Sequence, residues 1–424
     1  MKVKFLNGLG RIIRLKFKKK KIYYFLLMFS ITACWGANYW ISSLYTSNFI
    51  MITSLVLSLF VVLFNHRINL KSNYWFSTIL TIVMWISGIV LALKYALPFS
   101  MILQESCYTI APLFIYFAYR SLIKNQKDIC LVLHFICISA IVCNIVAFIE
   151  MYFALRGIDF LNIDVFSKTR NSTPRFIIGE VVLVLGFFIS FSNLADKAIS
   201  NKKKIMHFVN VFFTVVNMIF IIKTRTLSLY ILASILIVPI FNKETKKRNK
   251  IILGILAICI IVIILMSDFV PFINTYLNSD VGIQMRFYEI EYYLDIFKKN
   301  WLFGVGYLSS NKNAVTYSII SGPYERYYTS DVGIVGLMFR SGIVGLFWLF
   351  SWFYKTVQII KNNNHKVPTY YNLLMRLIIL FYLLSCINLI FTDTPRISYI
   401  ALGMLIIESS DFFQRDDICC LDSI

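Results

Sequence analysis

The sequence predicts an all-α polytopic membrane protein of about twelve transmembrane helices. Three observations carry that expectation. Of 424 residues, 58% are hydrophobic and only 15% charged, whereas about a quarter of an average soluble chain is charged. The apolar residues fall in runs long enough to cross a bilayer core, which takes about 20 residues per helix. Lys and Arg outnumber Asp and Glu by 42 to 21, and the surplus sits in short segments between alternate runs. That pattern marks cytoplasmic loops, and it removes nucleic acid as the explanation of the +21 net charge.

Residues 1–21 form a basic N-terminus containing Lys2, Lys4, Arg11, Arg14, Lys16 and Lys18 to Lys21. They lead into an apolar run at 22–40. Ile31-Thr32-Ala33-Cys34 resembles a lipobox, but the run is long enough to span and further spans follow, so a retained signal anchor is the better reading. Eight more runs, at 47–64, 73–93, 102–119, 128–149, 176–195, 205–222, 226–241 and 251–266, complete helices 1–9 over 22–266. Runs at 333–354, 371–391 and 398–409 supply helices 10–12 over 333–409, and 410–424 is a tail. With the N-terminus inside, 27 of the 42 Lys and Arg fall in the inner segments. Both termini are therefore expected in the cytoplasm. The nine cysteines lie in apolar runs or the tail, and no outward disulfide framework is expected.

The segment 267–332 is the one large extracytoplasmic loop. It carries nine of the 25 tyrosines, and a structureless loop of this length would be unusual. Met285, Tyr288, Tyr292, Leu294, Ile296 and Trp301 recur at near-helical spacing, as in an amphipathic helix on a bilayer surface. The aromatic residues read either as an interfacial belt or as platforms for sugar rings, and the two readings are compatible. Gly304-x-Gly306 lacks a βαβ setting and reads as a turn. The doubled GIVGL at 333–337 and 342–346 suits close helix packing.

Charges at membrane depth are candidates for function. Glu105, Glu180 and Arg340 fall in the outer halves of their spans. Arg170, Arg175, Lys223, Arg225, Arg396 beside Asp393, and Arg286 and Asp331 from the large loop lie around the same level. Arg376 and Glu408 lie near the inner surface and are expected to snorkel. Guanidinium groups keep their charge when desolvated and match phosphate oxygens, so the one-sided cluster suits an anionic, lipid-linked substrate. The alternative is that these charges are helix-pairing salt bridges. His66, His134, His207 and His365 all lie toward the inner side, and no HExxH, DxD pair or outward Cys/His cluster occurs. Outward chemistry must then use carboxylate, arginine and hydroxyl groups, with no metal or cofactor expected.

RFYEIEYYLDIFKKNWLFGVGY at 286–307, followed by TSDVGIVGLMFRSGIVGLFWLF at 329–350, resembles the long periplasmic loop and following span of the O-antigen polymerase and ligase superfamily. PRFIIGE at 174–180 and KTRTLSLY at 223–230 are similar to two earlier motifs of that family, in the same order. The resemblance runs from 174 to 350. It implies a multi-pass enzyme of the bacterial cytoplasmic membrane that takes oligosaccharide from an undecaprenyl diphosphate carrier on the outer face. By resemblance, Arg225 and Arg286 bind the diphosphate, assisted by Arg175 or Arg340. Glu180 or Asp331 would serve as base, with Glu180 favoured because desolvation near a helix end raises a carboxyl pKa. Tyr288, Tyr292, Trp301 and Tyr327 are candidate glycan platforms.

Ligases of the superfamily typically carry a histidine just before the Gly-Ile-x-Gly-Leu span. Here that place reads Ser330-Asp331, which favours a Wzy-type repeat-unit polymerase making O-antigen, capsule or exopolysaccharide. A chain-length regulator and a flippase are the implied protein partners. The alternatives are a glycan ligase of the same superfamily and a lipid-linked oligosaccharide flippase. The flippase is disfavoured by the one-sided polar cluster and the absence of half-to-half symmetry.

Overall fold

The computed structural model describes residues 72–161, 173–196, 199–241 except 224, 281–388 except 310, and 396–413 except 397, with a few positions in 56–62 and the pair 169–170. The expected spans 22–40 and 251–266, most of 47–64, and both chain termini lie outside the described residues.

Nine expected spans coincide with helices: α1 Trp75–Leu93, α2 Phe99–Leu122, α3 Gln126–Ala154, α4 Glu180–Leu194, α5 Asn201–Asn217 with a π-helical end Met218–Ile222, and α6 Arg225–Phe241 come first. The loop contributes α7 Val281–Lys299 and the short α8 Tyr317–Ser321, and α9 Ile334–Asn363, α10 Thr369–Ser385 and α11 Ser398–Glu408 follow. α1, α2, α3, α5 with its π-helical end, and α9 are long and apolar enough to cross a membrane. The described strands are the two-residue pair Thr169–Arg170 and Thr173–Pro174. Local signals set the helix starts: Pro98 and Pro368 precede α2 and α10, and the Asn125 side chain accepts from Asp128 N at 3.1 Å to cap α3.

α1 packs on α2 and α9, and α2 on α11. α3, α4 and α5 pack on one another, while α10 packs on α4, α6 and α9. α4 is buried almost all round, as expected of a central helix. Some charges inside this bundle are paired. At the end away from the large loop, Arg120 Nε meets Glu408 Oε2 at 2.9 Å. The same carboxylate accepts from Asn73 N at 2.8 Å and from the Tyr116 hydroxyl. Glu408 is therefore buried and does not snorkel. Arg376 likewise turns into the protein, donating to Asn372 Oδ1 and Asn364 Oδ1. Cys107, Cys137, Cys143 and Cys386 are free, and Cys130 is disulfide-bonded.

The large loop has a core of its own, built from Tyr293, Val305, Tyr307, Ile320, Tyr327 and Phe339 with Ala92 and Ile102 beneath them. α7 packs on α9 and on the 3-10 turn Thr329–Val332. Its buried stripe carries Glu289 and Tyr293, and Tyr288 is exposed. The amphipathic helix thus rests on protein along this stripe and carries Phe287 and Tyr288 on its exposed side.

α9 is broken at Gly342, where φ is 61° and ψ −154°. The break deprives Ile343 N and Val344 N of the carbonyls of Phe339 and Arg340. Residues 301–306 fill the gap: Ile343 N donates to Trp301 O at 2.8 Å and Val344 N to Leu302 O at 3.3 Å, while Val305 N and Gly306 N donate to Phe339 O and Arg340 O at 2.9 and 3.0 Å. The loop thus takes up two amides and two carbonyls at the break. A Cβ at Gly342 would stand 2.4 Å from the Leu302 carbonyl carbon. Gly342→Ala should therefore lower thermal stability in detergent by at least the ~1–3 kcal/mol of a strained non-glycine conformation, read as a drop in melting temperature.

Candidate functional site

The sequence-predicted residues separate by whether the fold has already paired them. Glu180, at the first position of α4, is bound by Arg396: Nε lies 2.8 Å from Oε1 and a terminal nitrogen 3.3 Å from Oε2. The pair is nearly buried, and the Tyr399 hydroxyl donates to the Glu180 carbonyl at 3.3 Å. This carboxylate joins α4 to the start of α11, as in the helix-pairing alternative. Arg175 Nε donates to Ile222 O at 2.9 Å, and Lys223 Nζ to Pro174 O at 3.2 Å. These two cations lace the segment before α4 to the end of α5. Arg225 opens α6; its side chain lies outside the described residues.

Arg286, Asp331 and Arg340 differ. All three are partly exposed at the loop end of the bundle, and their side chains make no hydrogen bond or ion pair among the described residues. Arg286, on α7, is near enough to Tyr230 of α6 and to Glu289 to act on both electrostatically. Asp331 lies in the turn against which α7 packs, within electrostatic reach of Glu289. Arg340 ends the first segment of α9, just before the break, and acts on Tyr293 and Tyr307.

Glu289 was not singled out from the sequence. It is 2% exposed, accepts from Tyr328 N at 3.3 Å through Oε1, and has no partner for Oε2 among the described residues. Burial first and the Asp331 carboxylate second push its pKa up to about 7, against the pull of the Tyr328 amide and Arg286. The signal available was an acidic residue on the stripe Met285–Glu289–Tyr292–Ile296, where burying a charge is costly.

The aromatic candidates divide as well. Tyr288 and Trp301 are exposed and can offer a ring face to a sugar. Tyr327 is buried, its ring within 5.4 to 6.3 Å of Tyr292, Tyr293 and Tyr324. Tyr292 is half-buried, and its hydroxyl donates to Ile319 O at 3.1 Å. Both help hold the loop together.

Beside Arg340 lies a narrow cleft between α1, α2 and α9, lined by Thr81, Glu105, Tyr108, Thr109, Thr329 and Ser330 on its polar side and by Met84, Leu337, Trp348 and Ile400 on its apolar side.

The fold and this one-ended cluster define an α-helical membrane protein with a charge-bearing site at the end that carries the large loop. A family model described as O-antigen ligase matches residues 210–350, about a third of the chain. The match runs from α5 into α9 and takes in Arg286, Glu289, Asp331 and Arg340. The resemblance to the O-antigen polymerase and ligase superfamily holds on this segment. No curated protein matches the chain.

Two predictions distinguish structural from functional carboxylates. Breaking the buried Glu180–Arg396 pair from one side strands a charge, a loss of about 3–5 kcal/mol. Glu180→Gln should therefore lower the yield and melting temperature of folded protein, and the double variant with Arg396→Gln should lose less than the two singles summed. Glu289 is tested through pH. Its folded pKa lies above the usual 4.5, so the folded state holds an extra proton between about 4.5 and about 7. Any stability from that proton is present in acid and lost as pH rises through this window. Melting of the wild type should fall relative to Glu289→Gln as pH rises across it; parallel curves would contradict the assignment.

Proposed function

We propose that the protein is a Wzy-type polymerase, which joins undecaprenyl-diphosphate-linked oligosaccharide repeat units into a surface polysaccharide on the outer face of a bacterial cytoplasmic membrane. The observation that carries this reading is the set Arg286, Asp331 and Arg340, charges that share one end of the bundle and make no side-chain hydrogen bond or ion pair among the described residues. Glu180 and Glu408, by contrast, are paired with arginines.

In the proposed reaction Arg225 and Arg286 hold the diphosphate of the donor. A hydroxyl of the incoming repeat attacks the donor's anomeric carbon. The new C–O bond forms as the bond to the diphosphate oxygen breaks, and undecaprenyl diphosphate leaves with the electron pair. Fixed guanidinium groups stabilise the charge that develops on the leaving group without reorganising. The hydroxyl proton passes to Asp331. We prefer Asp331 to Glu180 as base because Glu180 is committed to Arg396. Glu289, beside Asp331, raises the proton affinity of the carboxylate pair whenever it is itself ionised. Tyr288 and Trp301, both exposed, support the glycan.

The description of the matched family favours a ligase as the second reading. Ser330-Asp331, where a ligase would carry histidine, argues for the polymerase. A flippase and a chain-length regulator are the expected working partners, the first delivering the substrate and the second limiting the product.

Arg225→Ala and Arg286→Ala should each slow polymer formation by on the order of 10²–10³ at normal protein levels, the loss of one transition-state cation. Size-resolved surface glycan in a complemented strain measures this. A strain lacking the gene should export single repeat units that are never extended. Full-length polymer left on its lipid carrier would establish the ligase instead.

A further inference from the structure

We propose that the cleft between α1, α2 and α9 is the acceptor-sugar site, in which Glu105 and Arg340 bind hydroxyl groups of the incoming repeat. This rests on the polymerase reading and adds to it where the second substrate sits.

The lining determines the ligand class. Hydroxyls of Tyr108, Thr109, Thr329 and Ser330 share the cleft with one carboxylate and one guanidinium. Hydroxyls donate and accept, the carboxylate accepts, and the guanidinium donates. This mixture matches a neutral polyhydroxylated ring. Glu105 in the same cleft makes it a poor diphosphate site, because the carboxylate would face a second anion there. The apolar wall of Met84, Leu337 and Trp348 suits the C–H face of a sugar.

The placement also fits the chemistry. Thr329 and Ser330 wall the cleft, and the next residue is Asp331, on the side where α7 packs and where Arg286 and Glu289 stand. The turn Thr329–Val332 thus lines the cleft with Thr329 and Ser330 and packs against α7, the helix that bears Arg286 and Glu289, and it carries the proposed base. An acceptor seated in the cleft can give its proton to Asp331 while the donor occupies the other side. Arg340 is held at this wall by backbone: its carbonyl is taken by Gly306 N at 3.0 Å, which fixes the end of the α9 segment that carries it.

The test is calorimetric binding of the free repeat oligosaccharide, released by mild acid from the lipid-linked pool of the gene-deletion strain, to purified full-length protein. Wild-type protein should bind it saturably. Glu105→Gln and Arg340→Gln should each weaken binding about ten- to a hundredfold, as expected for loss of a charge-assisted hydrogen bond. Arg286→Ala should keep it. Thr109→Val, which removes one hydroxyl without altering charge, should weaken binding to a smaller degree. Unchanged affinity in both Glu105→Gln and Arg340→Gln overturns the assignment, as does equal loss in Arg286→Ala or absence of binding by the wild type. The deletion phenotype is a separate readout: unextended repeats in that strain with any of these results would remove the cleft and keep the polymerase.

Discussion

In a bilayer core an unpaired backbone amide or carbonyl has no water to turn to, and the break in α9 is where this fold meets that constraint most directly. Two amides and two carbonyls freed at Gly342 are taken up by residues 301–306. The exchange locks the large loop onto the bundle. Tyr307 N continues the contact to Gly88 O of α1 at 3.2 Å, and Gly88 has no Cβ to keep the Tyr307 ring away. A loop docked by backbone on two transmembrane helices holds its own side chains in register with theirs. Arg286 and Asp331 from the loop and Arg340 from α9 are thereby held at the same end of the bundle.

The second organising fact is the division of charges. Glu180 with Arg396 and Glu408 with Arg120 are joined across helices that are far apart in sequence. Such pairs fix which helices meet, and each loses much if one member is removed. Arg286, Asp331 and Arg340 at the loop end make no side-chain hydrogen bond or ion pair among the described residues.

Much of this was legible in the sequence. Helix positions followed from apolar runs, and α1 to α6 lie within a few residues of the expected spans because burial in lipid leaves little freedom in where a run starts and stops. The cluster of charged residues at one end was also visible. What could not be read was which charges pair, since Glu180 and Arg396 are brought together by tertiary packing over 216 residues. Glu289 escaped notice for a related reason: the spacing that selected Tyr288 and Tyr292 marks a helix without saying which of its faces meets protein. The Gly304-x-Gly306 turn is legible in the sequence, but its partner, the break at Gly342, is not, because a doubled GIVGL repeat suits close helix packing and carries no mark of a positive φ.

The central claim is that the loop-end charges act on two lipid-linked glycans and need nothing from the cytoplasm. Reconstitution tests this most directly: purified protein in liposomes, supplied with undecaprenyl-diphosphate-linked repeat units and no nucleotide sugar, followed by size separation of the glycan. The account predicts a ladder of products increasing by one repeat. Repeats that remain single in liposomes containing correctly folded protein, or that move only onto an added lipid acceptor, would contradict it.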